Sequence, residues 1–176
     1  MIIIHVGTLP DSSRLSACYE DIPGLTILRD PNHGQVKRVL RENPHETVLF
    51  LGHGSAQGLW TPDCKNYLIS ARDVYMLRER TVIGIWCYAA EFADKYGLHG
   101  FFTSMFISNL EEALMNSFYD SDEEQIRKEL DTFCMRIHHL LRVETPLSDW
   151  VKYLQDRADM SIKFVRFNYE ALCYFE

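Results

Sequence analysis

Four short apolar runs constrain this chain more than any other feature: Ile2–Val6, Leu25–Leu28, Val48–Leu51 and Val82–Trp86. Each is too short for a helix, and over about the first 100 residues they alternate with helical patterns. Strands separated by crossover helices build a mostly parallel sheet with helices on its faces. The last two runs are apolar on both alternating faces, so helices are expected on both sides of them. The fold expected is therefore a three-layer α/β domain.

The intervening segments fill in that plan. "HGQVKRVLREN" places Val36, Val39 and Leu40 on one helical face, and "SARDVYMLRER" starts at Ser70, a good N-cap. The latter ends with Arg78 and Arg80, where cations suit a helix dipole. Between them "GLWTPDCKNYLIS" is too polar for a core strand and reads as a small hairpin or loop. The second half reads as helical. "FTSMFISNLEEALMNSF" sets Phe106, Ile107, Leu110, Ala113 and Leu114 at helical spacing. "SDEEQIRKELDTFCMRIHHLLR" carries a Ser121–Glu124 capping box and a stripe from Ile126 to Leu141. "PLSDWVKYLQDRADM" is a third helix, and "SIKFVRFNYEALCYF" has room for a closing strand.

Size and charge narrow the function classes. A length of 176 residues fits one domain, residues 1–176. The net charge of −7 disfavours nucleic-acid binding, because a negative surface repels phosphate. No stretch approaches the ~20 apolar residues of a membrane span, and "MIIIHVGTLPDSSR" lacks a basic leader region. Five irregularly spaced cysteines with no CxxC pair argue against zinc ribbons and thioredoxin-like chemistry. They fit a cytoplasmic protein with reduced thiols. No metal or cofactor is expected, and the oligomeric state is open.

Two strands end in chemistry. "TVLFLGHGSAQGLW" runs into His53 between two glycines, and "TVIGIWCYAAEFA" runs into Cys87. In open α/β sheets, ligands bind beyond the carboxyl ends of the strands. If the two strands are neighbours, a spacing of ~4.8 Å brings both residues to one place. An imidazole can take a thiol proton or stabilise the thiolate. The helix-forming residues after Cys87 would aim a helix N-terminus at the sulfur and lower its pKa. The backbone N–H groups of Gly54 and Cys87 are candidate oxyanion donors. Singly, either residue is as well explained as a packed core cysteine or a turn histidine.

The motifs "VLFLGHGS" and "VIGIWCYAA", in that order on two strands, resemble those of the caspase/gingipain-like cysteine peptidases, a group that includes the CHAT domains. "GFFTSMFISNLEEA" resembles the region after the nucleophile in bacterial members. The likeness covers roughly residues 1–115. It implies the caspase-like fold and peptide-bond hydrolysis by a Cys–His dyad. Carried over, Cys87 is the nucleophile, His53 the general base and Gly54 an oxyanion donor. Trp86 and Tyr88 flank Cys87 where many members carry small or polar residues. A non-catalytic module that binds a peptide or partner protein is the alternative. The resemblance also implies selection of the residue before the cleaved bond. Asp63, Glu91 and Asp94 are acids near the motifs able to favour a basic side chain there, although each reads first as a solvated surface charge. His5 has no evident partner, and His138 and His139 are helix neighbours that cannot share a metal.

Overall fold

The computed structural model describes all 176 residues. Strands β1 (Ile2–His5), β2 (Thr26–Arg29), β3 (Val48–Leu51), β7 (Val82–Ile85), β8 (Gly100–Thr103) and β9 (Leu172–Phe175) form one sheet in the order β2-β1-β3-β7-β8-β9. All pairs are parallel except β8 with β9. Strands β4 (Gly54–Ser55), β5 (Gly58–Trp60) and β6 (Tyr67–Ser70) make a separate antiparallel sheet. The helices are α1 (Pro10–Arg14), α2 (His33–Glu42), α3 (Ala89–Tyr96), α4 (Leu110–Met115), α5 (Glu123–Arg142), α6 (Trp150–Gln155) and α7 (Lys163–Glu170).

Strand alternation divides the core into two. Leu49 and Leu51 of β3 and Ile83 and Ile85 of β7 join one cluster with α5, α6 and α7. Val48 and Phe50 join the other with α2, α3 and the β5–β6 hairpin. Both central strands are therefore buried throughout, as their sequences require. Burial of each such Leu, Ile or Phe stabilises the fold by about 1.5–3 kcal/mol. No helix is long and apolar enough to cross a membrane.

The chain reverses direction across the sheet between β1 and β3, since β2 lies outside β1 while β7 and β8 follow β3. The connections after β1, β3, β7 and β8 all leave the carboxyl edge. At the opposite edge, buried Arg80 ties the crossovers down. Its guanidinium donates to the carbonyls of Leu40, Asn43, Glu46 and Met76. These include carbonyls at the end of α2 that the helix itself leaves free.

Several local expectations are corrected. The helical reading from Phe102 onward fails at its start. Phe101 and Phe102 face opposite cores, a period of two, and form β8. Phe106 and Ile107 lie in a loop, where the Asn168 side chain clamps both backbone groups of Ile107 at 2.8 and 3.0 Å. Asn109 then caps α4. "SARDVYMLRER" makes only a 3₁₀ turn, Ala71–Met76. Ser70 is its N-cap, as expected, and Asp73 three residues on accepts from the Ser70 N–H and hydroxyl and from His33. Helix α5 is capped by Asp122, not Ser121. The polar segment after His53 folds as the β5–β6 hairpin, and the tail closes as β9.

Candidate active site

Strands β3 and β7 are hydrogen-bonded neighbours with Leu51 opposite Ile85. Two residues further along each chain stand His53 and Cys87. Both line one small cavity, together with Asp11, Phe106, Ser108, Leu130 and Phe133. The cavity volume is about 30 Å³, room for a water or an ion but not for a peptide side chain.

The histidine is held from α1. His53 Nε2–H donates to Asp11 Oδ1 at 3.1 Å. Nδ1, which has no hydrogen bond to protein, is then the nitrogen left to accept a proton. Ser108 Oγ and Asn109 Nδ2 donate to Asp11 Oδ2 at 2.8 and 2.9 Å. Burial opposes the Asp11 charge, but these donors and His53 outweigh it and hold the carboxyl well below the usual carboxylate range. The Asp11 hydrogen bond raises the His53 pKa against a burial effect of opposite sign. Asp11 is placed by a second histidine. His5 Nε2–H donates to the Ser12 carbonyl, and His5 Nδ1 accepts from the Tyr19 hydroxyl, both at 2.8 Å. That buried imidazole, its pKa lowered by desolvation, pins α1 to β1. The sequence left His5 without a partner; it has two.

The cysteine is held differently. Cys87 is half-buried, and Tyr88 after it adopts a left-handed backbone at φ 68° before α3 begins. Such a conformation in a non-glycine residue is strained and recurs at functional turns. Trp86 does not seal the thiol. It turns to the other core, donates from Nε1 to the Ser55 carbonyl, and packs beneath Gly54. A Cβ at Gly54 would stand 2.3 Å from Trp86 Cδ1, so the glycine is required by the close approach of the two connections. Tyr88 is 40% exposed and does not cover the site either.

The thiol faces Phe106 O at 3.6 Å and Glu112 Oε1 at 3.9 Å. Burial and the nearby Glu112 charge push its pKa up to about 12. Both causes act against the helix-dipole expectation of an acidified thiol. Burial also raises the Glu112 pKa, against Ser108, whose N–H and hydroxyl both donate to Oε2.

Neither candidate oxyanion donor is tied up by a backbone acceptor, although Gly54 itself does not line the cavity. His53 and Trp60 share a ladder hydrogen bond, so Gly54 occupies the next, non-bonded position of an edge strand. Its N–H therefore points away from β5. The Cys87 N–H has no backbone acceptor. The three acids considered for selectivity do not meet the cavity. Asp63 is exposed in the β5–β6 turn and binds Thr61 and Lys65. Glu91 accepts from the Ser104 hydroxyl, and with Asp94 it lines a separate surface depression near Cys173. Asp11 is the acid that lines the cavity, and Glu112 lies beside it, within 4.8 Å of Asp11 and His53; the sequence singles out neither. A signal existed for each: Asp11 follows the first strand at the same carboxyl edge, and Glu112 sits three residues after the Asn109 cap.

A scan of the chain against protein-family models finds no match, and a search of curated proteins finds none either.

Proposed function

We propose that this chain is a caspase/gingipain-like cysteine endopeptidase in which Cys87 is the nucleophile and His53 the general base. One observation carries the reading. His53 and Cys87 stand in register beyond two paired strands, on one cavity, with Asp11 fixing the imidazole tautomer. The Cys87 proton passes to His53 Nδ1 as the sulfur adds to the substrate carbonyl carbon. The Gly54 and Cys87 N–H groups receive the oxyanion. The C–N bond breaks as the imidazolium returns its proton to the leaving amine. Water then hydrolyses the thioester and restores the thiol. Asp11 acts as a positioning residue, favouring the imidazolium that forms. Five unpaired cysteines accord with a cytoplasmic setting.

The raised thiol pKa and the small cavity describe a resting site. Peptide binding must move the Glu112 carboxylate off the thiol before proton transfer becomes favourable. The same two features favour the second reading, a module that binds peptide without cleaving it. Digestion of a proteome-derived peptide mixture, read by mass spectrometry, separates them. The expected result is new termini with wild-type protein and none with Cys87→Ala or His53→Ala. An inert wild-type protein, or cleavage that survives Cys87→Ala, rejects the peptidase.

A further inference from the structure

Four potential metal ligands reach the carboxyl edge of the sheet on four separate connections: Asp11 after β1, His53 after β3, Cys87 after β7 and Glu112 after β8. One ligand atom from each of Asp11, His53 and Glu112 lies within 4.8 Å of the other two. The His53 Nε2 to Asp11 Oδ1 separation of 3.1 Å suits two neighbouring ligands, each roughly 2.0–2.2 Å from a shared cation. The Cys87 thiol faces Glu112 Oε1 and has no short hydrogen bond.

The carboxylates are also oriented as ligands. Their outer oxygens are occupied: Asp11 Oδ2 by Ser108 and Asn109, and Glu112 Oε2 by the Ser108 N–H and hydroxyl. Their inner oxygens, Asp11 Oδ1 (which also accepts from the Ser12 N–H at 2.9 Å) and Glu112 Oε1, are the ones turned toward His53 and Cys87. Outer-shell donors of this kind fix first-shell geometry in metal sites. Two carboxylates against one imidazole leave the cluster short of positive charge. The cavity of about 30 Å³ admits an ion but excludes a guanidinium or a lysine side chain.

We infer that the Asp11–His53–Glu112 cluster is a binding site for one zinc-class divalent ion, and that the Cys87 thiolate, which lies outside the 4.8 Å group but 3.9 Å from Glu112 Oε1, moves in as the fourth ligand. Nitrogen and sulfur donors in a set of four select zinc over calcium or magnesium. Binding places the metal between His53 Nε2 and Asp11 Oδ1. The Nε2 and thiol protons leave to solvent, and no redox change is involved. The sulfur is then bound to metal and cannot attack a carbonyl. The binding claim stands by itself; the consequence that zinc holds the enzyme off rests on the peptidase reading.

The test uses the whole chain stripped with a chelator and titrated with ZnCl₂ against a chromophoric competitor, with CoCl₂ as a spectroscopic probe. One zinc per chain is expected, with Glu112→Gln and Asp11→Asn each weakening it at least ~10-fold while circular dichroism stays unchanged. Cobalt should give a thiolate-to-metal band in the near ultraviolet that Cys87→Ser abolishes. No stoichiometric zinc, zinc affinity indifferent to Glu112→Gln, or a cobalt spectrum without the band overturns the site. Stripped protein that cleaves peptides but takes up no zinc sinks the metal site alone. Protein that binds zinc but never cleaves sinks the peptidase alone.

Discussion

The two edges of the main sheet bury polar groups in opposite ways. At the amino edge, Arg80 meets only neutral carbonyls, four of them, from three stretches of chain. The nearest charge, Glu46, is of opposite sign and favours the guanidinium. At the carboxyl edge, Asp11, His53, Glu112 and Cys87 crowd together with charges that oppose as well as attract. There the His53 Nδ1 and the Cys87 thiol are left free for other work. The lesson is that satisfied burial belongs to architecture, while unresolved burial marks chemistry. Strain follows the same division, since left-handed Tyr88 adjoins Cys87.

The sharpest break of this comparison is Cys87→Ala. It should reduce peptide cleavage by on the order of 10⁴-fold or more in steady-state assays, with the melting transition unchanged within a few degrees. At the other edge, Arg80→Ala should do the reverse. Loss of the guanidinium leaves several carbonyls without donors and should cost about 3 kcal/mol in urea unfolding, with cleavage per folded molecule retained. Equal damage to both properties in either variant would erase the distinction between the edges.

Asp11→Asn comes next. It should lower kcat by roughly 10²-fold or more, because the imidazolium loses its counter-charge. It should also cost about 1.5–3 kcal/mol of stability, in a pH-dependent way. The His53 pKa is raised in the folded state, so its share is present below the unfolded value near 6.5 and fades as pH rises through the folded one. The Asp11 pKa is depressed, so its share is present above about 3.9 and fades as pH falls. The melting-temperature gap between wild type and Asp11→Asn should therefore be widest between about pH 4 and 6.5 and narrow toward pH 9. A flat gap would mean that the pair carries no ionic contribution.

Glu112→Gln tests the charge facing the thiol. In chelator-treated protein, iodoacetamide labelling of Cys87 should reach its midpoint at lower pH than in wild type, where the thiol pKa is about 12. An unchanged midpoint would assign the whole effect to burial. The smallest change expected is Tyr88→Gly. It should be neutral or stabilising by up to about 1 kcal/mol, since glycine takes φ 68° without strain.

The sheet was legible because its signal is local. The apolar runs around Val48–Leu51 and Val82–Ile85 end within a residue of the observed strands. The strand at Gly100–Thr103 escapes a local reading because Phe102 runs directly into Phe106, Ile107, Leu110, Ala113 and Leu114, which satisfy a helical period. What separates the two is a long-range clamp, Asn168 on Ile107, which no local pattern contains. At the site, His53 and Cys87 could be read because each ends an apolar run. Asp11 and Glu112 join them only through the order in which strands pair. Asp63, Glu91 and Asp94 were nearer to the motifs in sequence but lie away from the cavity, since hairpin and helix carry them to the surface. The helix N-terminus beside the thiol is visible in sequence, whereas a carboxylate arriving 25 residues later is not.

The central claim is best tested by covalent capture at pH 7.5 in chelator-treated protein. A set of peptidyl acyloxymethyl ketones with basic, acidic and apolar residues next to the warhead is compared with iodoacetamide, and adducts are mapped by mass spectrometry. Slow, sparse alkylation of the resting Cys87 thiol by iodoacetamide is expected. Stoichiometric capture of Cys87 by at least one peptidyl reagent is expected as well, lost in His53→Ala. Failure of every peptidyl reagent at Cys87, or capture that proceeds equally fast without His53, would contradict that claim.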